Sequence, residues 1–167
     1  MTSRLRVLWL VPVVMALHNT EEALYFPRYL PLVLARLPDS WRALAGPLTL
    51  GQVWTALLLV TLVPVALAGW ASLRPDSRAP VWLLLLIQAT LLLNVVWHTC
   101  AAVLVFDGYA PGVVTALLVN LPFSVYLLRR AAREAWVPRG ALWALLPGAL
   151  LVHGPILSGV LLMTERL

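Results

Sequence analysis

The chain has 167 residues, 62% of them hydrophobic and only 11% charged, and its net charge of +5 rests on arginine, because there is no lysine. This composition excludes a soluble domain and leaves no room for a second folded unit, so residues 1–167 read as a single transmembrane domain. With no soluble face to carry a phosphate-tracking patch, nucleic acid is excluded as a partner. The lone cysteine, Cys100, excludes an intramolecular disulfide or a thiolate metal cluster.

Five segments are long and apolar enough to cross ~30 Å of hydrocarbon. The expected fold is therefore all-α, a bundle of five transmembrane helices. The first span runs from about Leu5 to Phe26. Arg4 and Arg6 ahead of an apolar run imitate a signal peptide, but Met15-Ala16-Leu17-His18 lacks the small-x-small cleavage pattern, so the segment reads as a retained helix. Inside it lies His18-Asn19-Thr20-Glu21-Glu22. An ionisable group at bilayer depth costs roughly 2.5–3.5 kcal/mol even on lenient scales, which makes the string a candidate site. At ~100° per residue, His18, Glu21 and Glu22 share an arc of about 100°, with Tyr25 one turn further on the same face.

Pro27 to Pro47 mixes arginines with Tyr29, Leu32, Leu37 and Trp41. It reads as a short interfacial amphipathic segment, either a plain connector or a lid over a buried site. The second span is expected at about Leu48–Ala71 and the third at about Val81–Phe106. The third carries Asn94 and His98 four residues apart on one face, with Ala101 and Ala102 one turn on, small enough for close approach. Tyr109-Ala110-Pro111-Gly112 makes a tight turn into the fourth span, about Gly112–Leu128. The fifth, about Ala141–Met163, holds His153. Pro122 and Pro155 free the carbonyls of Leu118 and Leu151, a break tolerated at membrane depth where it lines a cavity.

Arg4, Arg6, Arg74, Arg78, Arg129, Arg130, Arg133 and Arg139 fall on one side of this layout, and Arg28, Arg36, Arg42 and Arg166 on the other. The positive-inside rule then puts the N-terminus in the cytoplasm and the C-terminus outside, in a bacterial inner membrane. At 1.5 Å per residue, His18 lies ~20 Å from the cytoplasmic edge, Glu21 and Glu22 ~24–26 Å, Asn94 ~20 Å, His98 ~26 Å and His153 ~18–20 Å. Gln52 and Thr55 descend into the same layer from the outer edge, and Asn120 lies a little deeper. Residues of unrelated spans sharing one depth point to one interior site.

With these residues in place, the sequence resembles the HXXEE family of small bacterial membrane proteins. His18, Glu21 and Glu22 match its naming motif. Asn94 and His98 match NxxxH, and Tyr109, Pro111, Gly112 and Thr115 match YxPGxxT. The resemblance covers roughly residues 5 to 165 and implies site residues and topology but no reaction. His153 belongs to none of the motifs, and its place rests on depth alone.

Two enzyme chemistries fit. In the first, His18, Glu21, Glu22, His98 and His153 supply ligands for a divalent metal such as iron, zinc or manganese, as mixed imidazole and carboxylate ligation favours. Asn94 and Tyr109 serve as substrate or supporting contacts, and the substrate is an apolar, lipid-like or isoprenoid-like molecule entering from the bilayer. In the second, no metal is needed: one of two close, buried carboxyls stays protonated as general acid, suiting isomerase, epoxide-opening or cyclase chemistry. A proton-coupled transporter is a third reading, weakened because only Gln88 and Thr61 continue a polar path through the inner half. A polar network that merely joins helices is the fourth, although Asn or Gln would do that more cheaply than paired Glu. The eight tryptophans, Trp9, Trp54, Trp82 and Trp97 among them, belong mostly to interface belts and packing, though some could line a pocket. The oligomeric state has no signature in the sequence.

Overall fold

The computed structural model describes residues 2–36 and 48–164. Among them the regular structure is helical throughout. A short helix α1 (Ser3–Leu8) leads into α2 (Leu10–Arg36), followed by α3 (Leu50–Leu73) and α4 (Arg78–Leu104). Helix α5 spans Val113–Arg133, and α6 is built from Arg139–Trp143, Leu145–Leu151, a π turn at Val152–Ile156 and Leu157–Met163. Four of these, α3 to α6, are long and apolar enough to cross a membrane. The α1–α2 unit is long as well, but its polar motif and arginines dilute its hydropathy.

Helix α4 is the axis of the bundle and packs against α2, α3, α5 and α6. In its most apolar window 44% of residues are buried, against 11% for α6, so α6 lies at the periphery. The main apolar core gathers Leu5 and Leu8 of α1 and Val11 of α2 with Ala68, Ala71, Val81, Leu84, Leu85, Leu127 and Leu145. It sits at the end of the bundle that carries the N-terminus.

Prolines shape the helices, and their effect depends on what meets the freed carbonyl. Pro12 has no N–H to return to Leu8, and the chain turns at Trp9 between α1 and α2. Pro27 likewise leaves the Ala23 carbonyl without its helical donor, and the Trp54 indole N–H of α3 donates to that oxygen at 3.1 Å. Helix α2 therefore continues through Pro27 and Pro31 to Arg36. The sequence reading, which ended this helix at Phe26 and began an interfacial segment at Pro27, is corrected over residues 27–36. Residues 37–47, the rest of that supposed lid, lie outside the described residues. Pro122 and Pro155 act differently: beside each, the helix widens into a π turn, Ala116–Asn120 in α5 and Val152–Ile156 in α6.

Other sequence expectations resolve into structural roles. Gln52 closes a capping box with Thr49 at the start of α3, its Oε1 accepting the Thr49 N–H at 2.6 Å, so it caps a helix instead of lining the polar layer. Indole N–H groups tie neighbouring helices, Trp9 to Ser72 at 3.0 Å and Trp82 to the Ala141 carbonyl at 2.8 Å. Cys100 is exposed, on the outside of the bundle.

Candidate functional site

At the opposite end from the core, α2, α4, α5 and α6 aim polar side chains at one another. Helix α2 presents His18 and Glu21, 1% and 9% exposed, and the half-buried Glu22, all on the face turned to α4 and α5. Helix α4 contributes Asn94 and His98, α5 contributes Thr115, and the π turn of α6 contributes His153.

These groups form a hydrogen-bond chain whose direction follows from the orientation of the Asn94 amide. The Asn94 amide nitrogen can only donate, and it lies 2.8 Å from His18 Nε2, so that nitrogen accepts. His18 therefore carries its proton on Nδ1 and donates to Thr115 Oγ1 at 3.0 Å. The Thr115 hydroxyl passes the direction on, donating to Glu21 Oε2. At the other end, His153 Nε2 lies 2.8 Å from the Asn94 carbonyl oxygen, which can only accept, so His153 donates. The sequence runs His153 to Asn94 to His18 to Thr115 to Glu21.

Glu21 is the terminus of this chain. Its oxygens also accept the Thr115 backbone N–H at 2.7 Å, the Val114 N–H at 3.2 Å and the Tyr109 hydroxyl at 2.8 Å. Four donors and no acceptor face the carboxyl, which pins the start of α5 to α2. Burial and the hydrogen bond to Glu21 push the Tyr109 hydroxyl well above its ordinary range, so Tyr109 stays a donor. Around it, Tyr25 and Tyr29 pack edge-on or tilted at 5.4 and 5.8 Å between ring centroids, with Phe106 against Tyr29 at 5.1 Å. This aromatic cover closes the end of the site.

Glu22 has other neighbours. Its Oε1 lies 3.1 Å from His98 Nε2 and 3.9 Å from His18 Nε2. The two imidazoles meet edge to face, centroids 4.9 Å apart. One ligand atom from each of His18, Glu22 and His98 falls within 4.8 Å of the others, a spacing at which one ion could be held. The His98–Glu22 contact is close but not aligned as an N–H···O bond, which leaves His98 Nε2 buried without a hydrogen-bond partner. An imidazole nitrogen in that state is available as a ligand or as a proton acceptor.

Gly112 explains how the three groups fit together. It adopts φ of +86°, a region that disfavours side chains, and a Cβ there would lie 2.8 Å from His18 Cε1 and 2.9 Å from Glu22 Cγ and His98 Cε1. The glycine backbone thus forms one wall of the cluster, and no other residue can replace it without displacing all three side chains.

Of the residues singled out from sequence, His18, Glu22 and His98 come together as one group, and Asn94 and His153 join through hydrogen bonds. Glu21 and Tyr109 pair with each other, with Glu21 turned to α5 and away from the three-residue group. Thr115 and Gly112 carry more of the site than their place in the YxPGxxT motif suggested, since it takes the tertiary contact to reveal them as relay and wall. Asn19, between the motif residues, points the other way and donates to Thr61 at 2.7 Å and the Leu57 carbonyl at 3.2 Å, joining α2 to α3. Trp97 stands beside His153, centroids 6.0 Å apart.

Comparison with known proteins gives a family without a reaction. The profile described as "Protein of unknown function with HXXEE motif" matches residues 9–127, which hold every motif residue of the cluster; His153 lies beyond them. The chain is similar to the "Uncharacterized protein YrkK" of Bacillus subtilis (strain 168), 25% identical over 108 residues, 65% of this chain. It spans 63% of the length of that relative. No solved structure matches.

Proposed function

The chain belongs to the HXXEE family, and from that premise we propose that it is a membrane-embedded enzyme whose His18, Glu22 and His98 hold a divalent metal. The observation that carries the proposal is the convergence of three ligand atoms within 4.8 Å, one of them the unpartnered His98 Nε2. Two imidazoles and a carboxylate form a donor set used by catalytic zinc, which leaves a further position open for water or substrate. Iron and manganese accept the same ligands. Loading competes with the Asn94 amide for His18 Nε2, so Asn94 releases that nitrogen when metal binds. Thr115 and Glu21 hold the opposite ring nitrogen protonated and orient the ring, as carboxylate-backed histidines do at metal sites. The substrate is a lipid-like or isoprenoid-like molecule reached from the bilayer, and the arginine distribution supports an inner-membrane location with the N-terminus in the cytoplasm.

A second reading rests on the 3.1 Å approach of Glu22 to His98, an imidazole–carboxylate pair able to move a proton without metal. Glu21 accepts four hydrogen bonds and donates none, so the protonated carboxyl of that reading is Glu22.

Elemental analysis of protein purified in mild detergent without chelator, then reconstituted separately with iron, zinc and manganese, decides between them. A His2Glu centre predicts about one equivalent of one metal in the wild type and loss of it in Glu22→Gln. Metal well below stoichiometry after all three reconstitutions overturns the metal reading. Infrared titration of the carboxyls then tests the second, which requires a Glu22-dependent protonated carboxyl band at neutral pH.

A further inference from the structure

A second polar group lies in the interior, between α4 and α5 and on the side of the motif cluster that faces the apolar core. Gln88, Asn120 and Ser124 are each 0% exposed. The Gln88 amide N–H donates to Ser124 Oγ at 2.7 Å, which joins the two helices. Three buried polar atoms remain without a hydrogen-bond partner: Gln88 Oε1, Asn120 Oδ1 and Asn120 Nδ2. Asn120 stands one helical turn from Ser124 on the same face of α5 and one i→i+5 turn from Thr115, so it lies between the Gln88–Ser124 pair and the relay. Asn120 closes the π turn of α5. In that turn the Leu121 N–H bonds the Ala116 carbonyl.

Leaving a buried amide wholly unpaired is costly, because each group gives up its bonds to water and gains none in return. The demands also differ in kind, because two side-chain oxygens need donors while Asn120 Nδ2 needs an acceptor. A metal cation meets the oxygens but not the amide N–H, and an apolar molecule meets neither. Water donates and accepts, and a buried water takes about three such bonds.

We propose that Asn120, Gln88 Oε1 and the π turn of α5 frame a buried water site that extends the polar array from Thr115 toward the middle of the bundle. The array ends there. Leu84, one turn from Gln88, and Leu127, one turn from Ser124, are both fully buried and apolar. The site is therefore a closed store and not part of a path through the bundle.

The test is infrared spectroscopy of the full chain in lipid nanodiscs, comparing ordinary with 18O-labelled water. Isolated buried water gives a narrow O–H stretch that shifts with the isotope. The expected result is such a band in wild type, lost in both Asn120→Leu and Gln88→Met and kept in Thr20→Val, a change on the exposed side of α2. Wild type without the band, or the band undiminished in both interior variants, overturns the proposal. If Asn120→Leu does not fold, Gln88→Met alone gives the same reading. Metal content measured on the same samples separates the two proposals. Wild type with the band and no metal removes the metal centre and leaves the water site, and metal without the band does the reverse.

Discussion

At the end carrying the N-terminus, the helices meet through Leu5, Leu8, Val11, Leu84, Leu85 and Leu127, with Ala68, Ala71 and Ala131 letting backbones approach. At the other end the same helices meet through His18, Glu21, Asn94, Thr115 and His153. The apolar end has many contacts and no fixed direction among them. Such contacts gain packing without a directional requirement, so they set closeness more than register. The polar end has few contacts, each with a donor and an acceptor in a required order. It fixes the rotation of α2 against α5 and of α4 against α6, and it depends on every member being present.

Substitutions at the two ends should therefore fail differently. The largest stability effect belongs to the apolar end: Leu84→Ala should cost about 2–5 kcal/mol by cavity formation, read by thermal or denaturant unfolding in detergent. Its metal content per folded protein should stay that of the wild type, and a parallel loss would show the two ends to be coupled. Thr115→Val removes the hydroxyl that holds the His18 Nδ1–H and should weaken metal affinity about 10–100-fold, measured by competition with a chelator. An unchanged affinity would break the claim that the relay orients His18.

Gly112→Ala tests the wall of the site, and strain of about 1–3 kcal/mol is expected from the positive φ alone, with the Cβ contacts added. Gly69→Ala, in α3 where a Cβ meets nothing within 4 Å, should instead stabilise by up to about 1 kcal/mol. Similar losses in both would refute a special role for Gly112. The smallest effect is a pH dependence. The Tyr109 hydroxyl is held above its ordinary value of 10.0 by burial and by Glu21. A raised folded-state value means that the protonated hydroxyl stabilises fully below pH 10 and that this contribution fades as the pH climbs toward the folded-state value. Unfolding curves from pH 8 to 11 should show that decline in wild type and a flatter profile in Tyr109→Phe.

Much of the fold was legible in the sequence because helix formation in apolar segments is a local matter. The spans of α3, α4 and α5 fall within a few residues of their expected places, and three short motifs marked most of the cluster. What misled was also local: Pro27 looked like a helix end, because a reader of the chain cannot see that the indole of Trp54, 27 residues later, meets the Ala23 carbonyl. Gln52 looked like a layer residue because depth alone does not distinguish a cap from a site.

The sequence by itself determined that this chain is an apolar helical protein with an HXXEE motif and that its histidines and glutamates lie where they must find partners. Only the tertiary structure divided the work between adjacent glutamates. Glu21 and Glu22 are chemically identical and one position apart, so no pattern within α2 separates them. The ~100° between them turns one toward Thr115 and Tyr109 and the other toward His98, partners supplied by chain more than 70 residues away. That difference in partners makes one carboxylate an anchor and leaves the other beside a bare imidazole nitrogen.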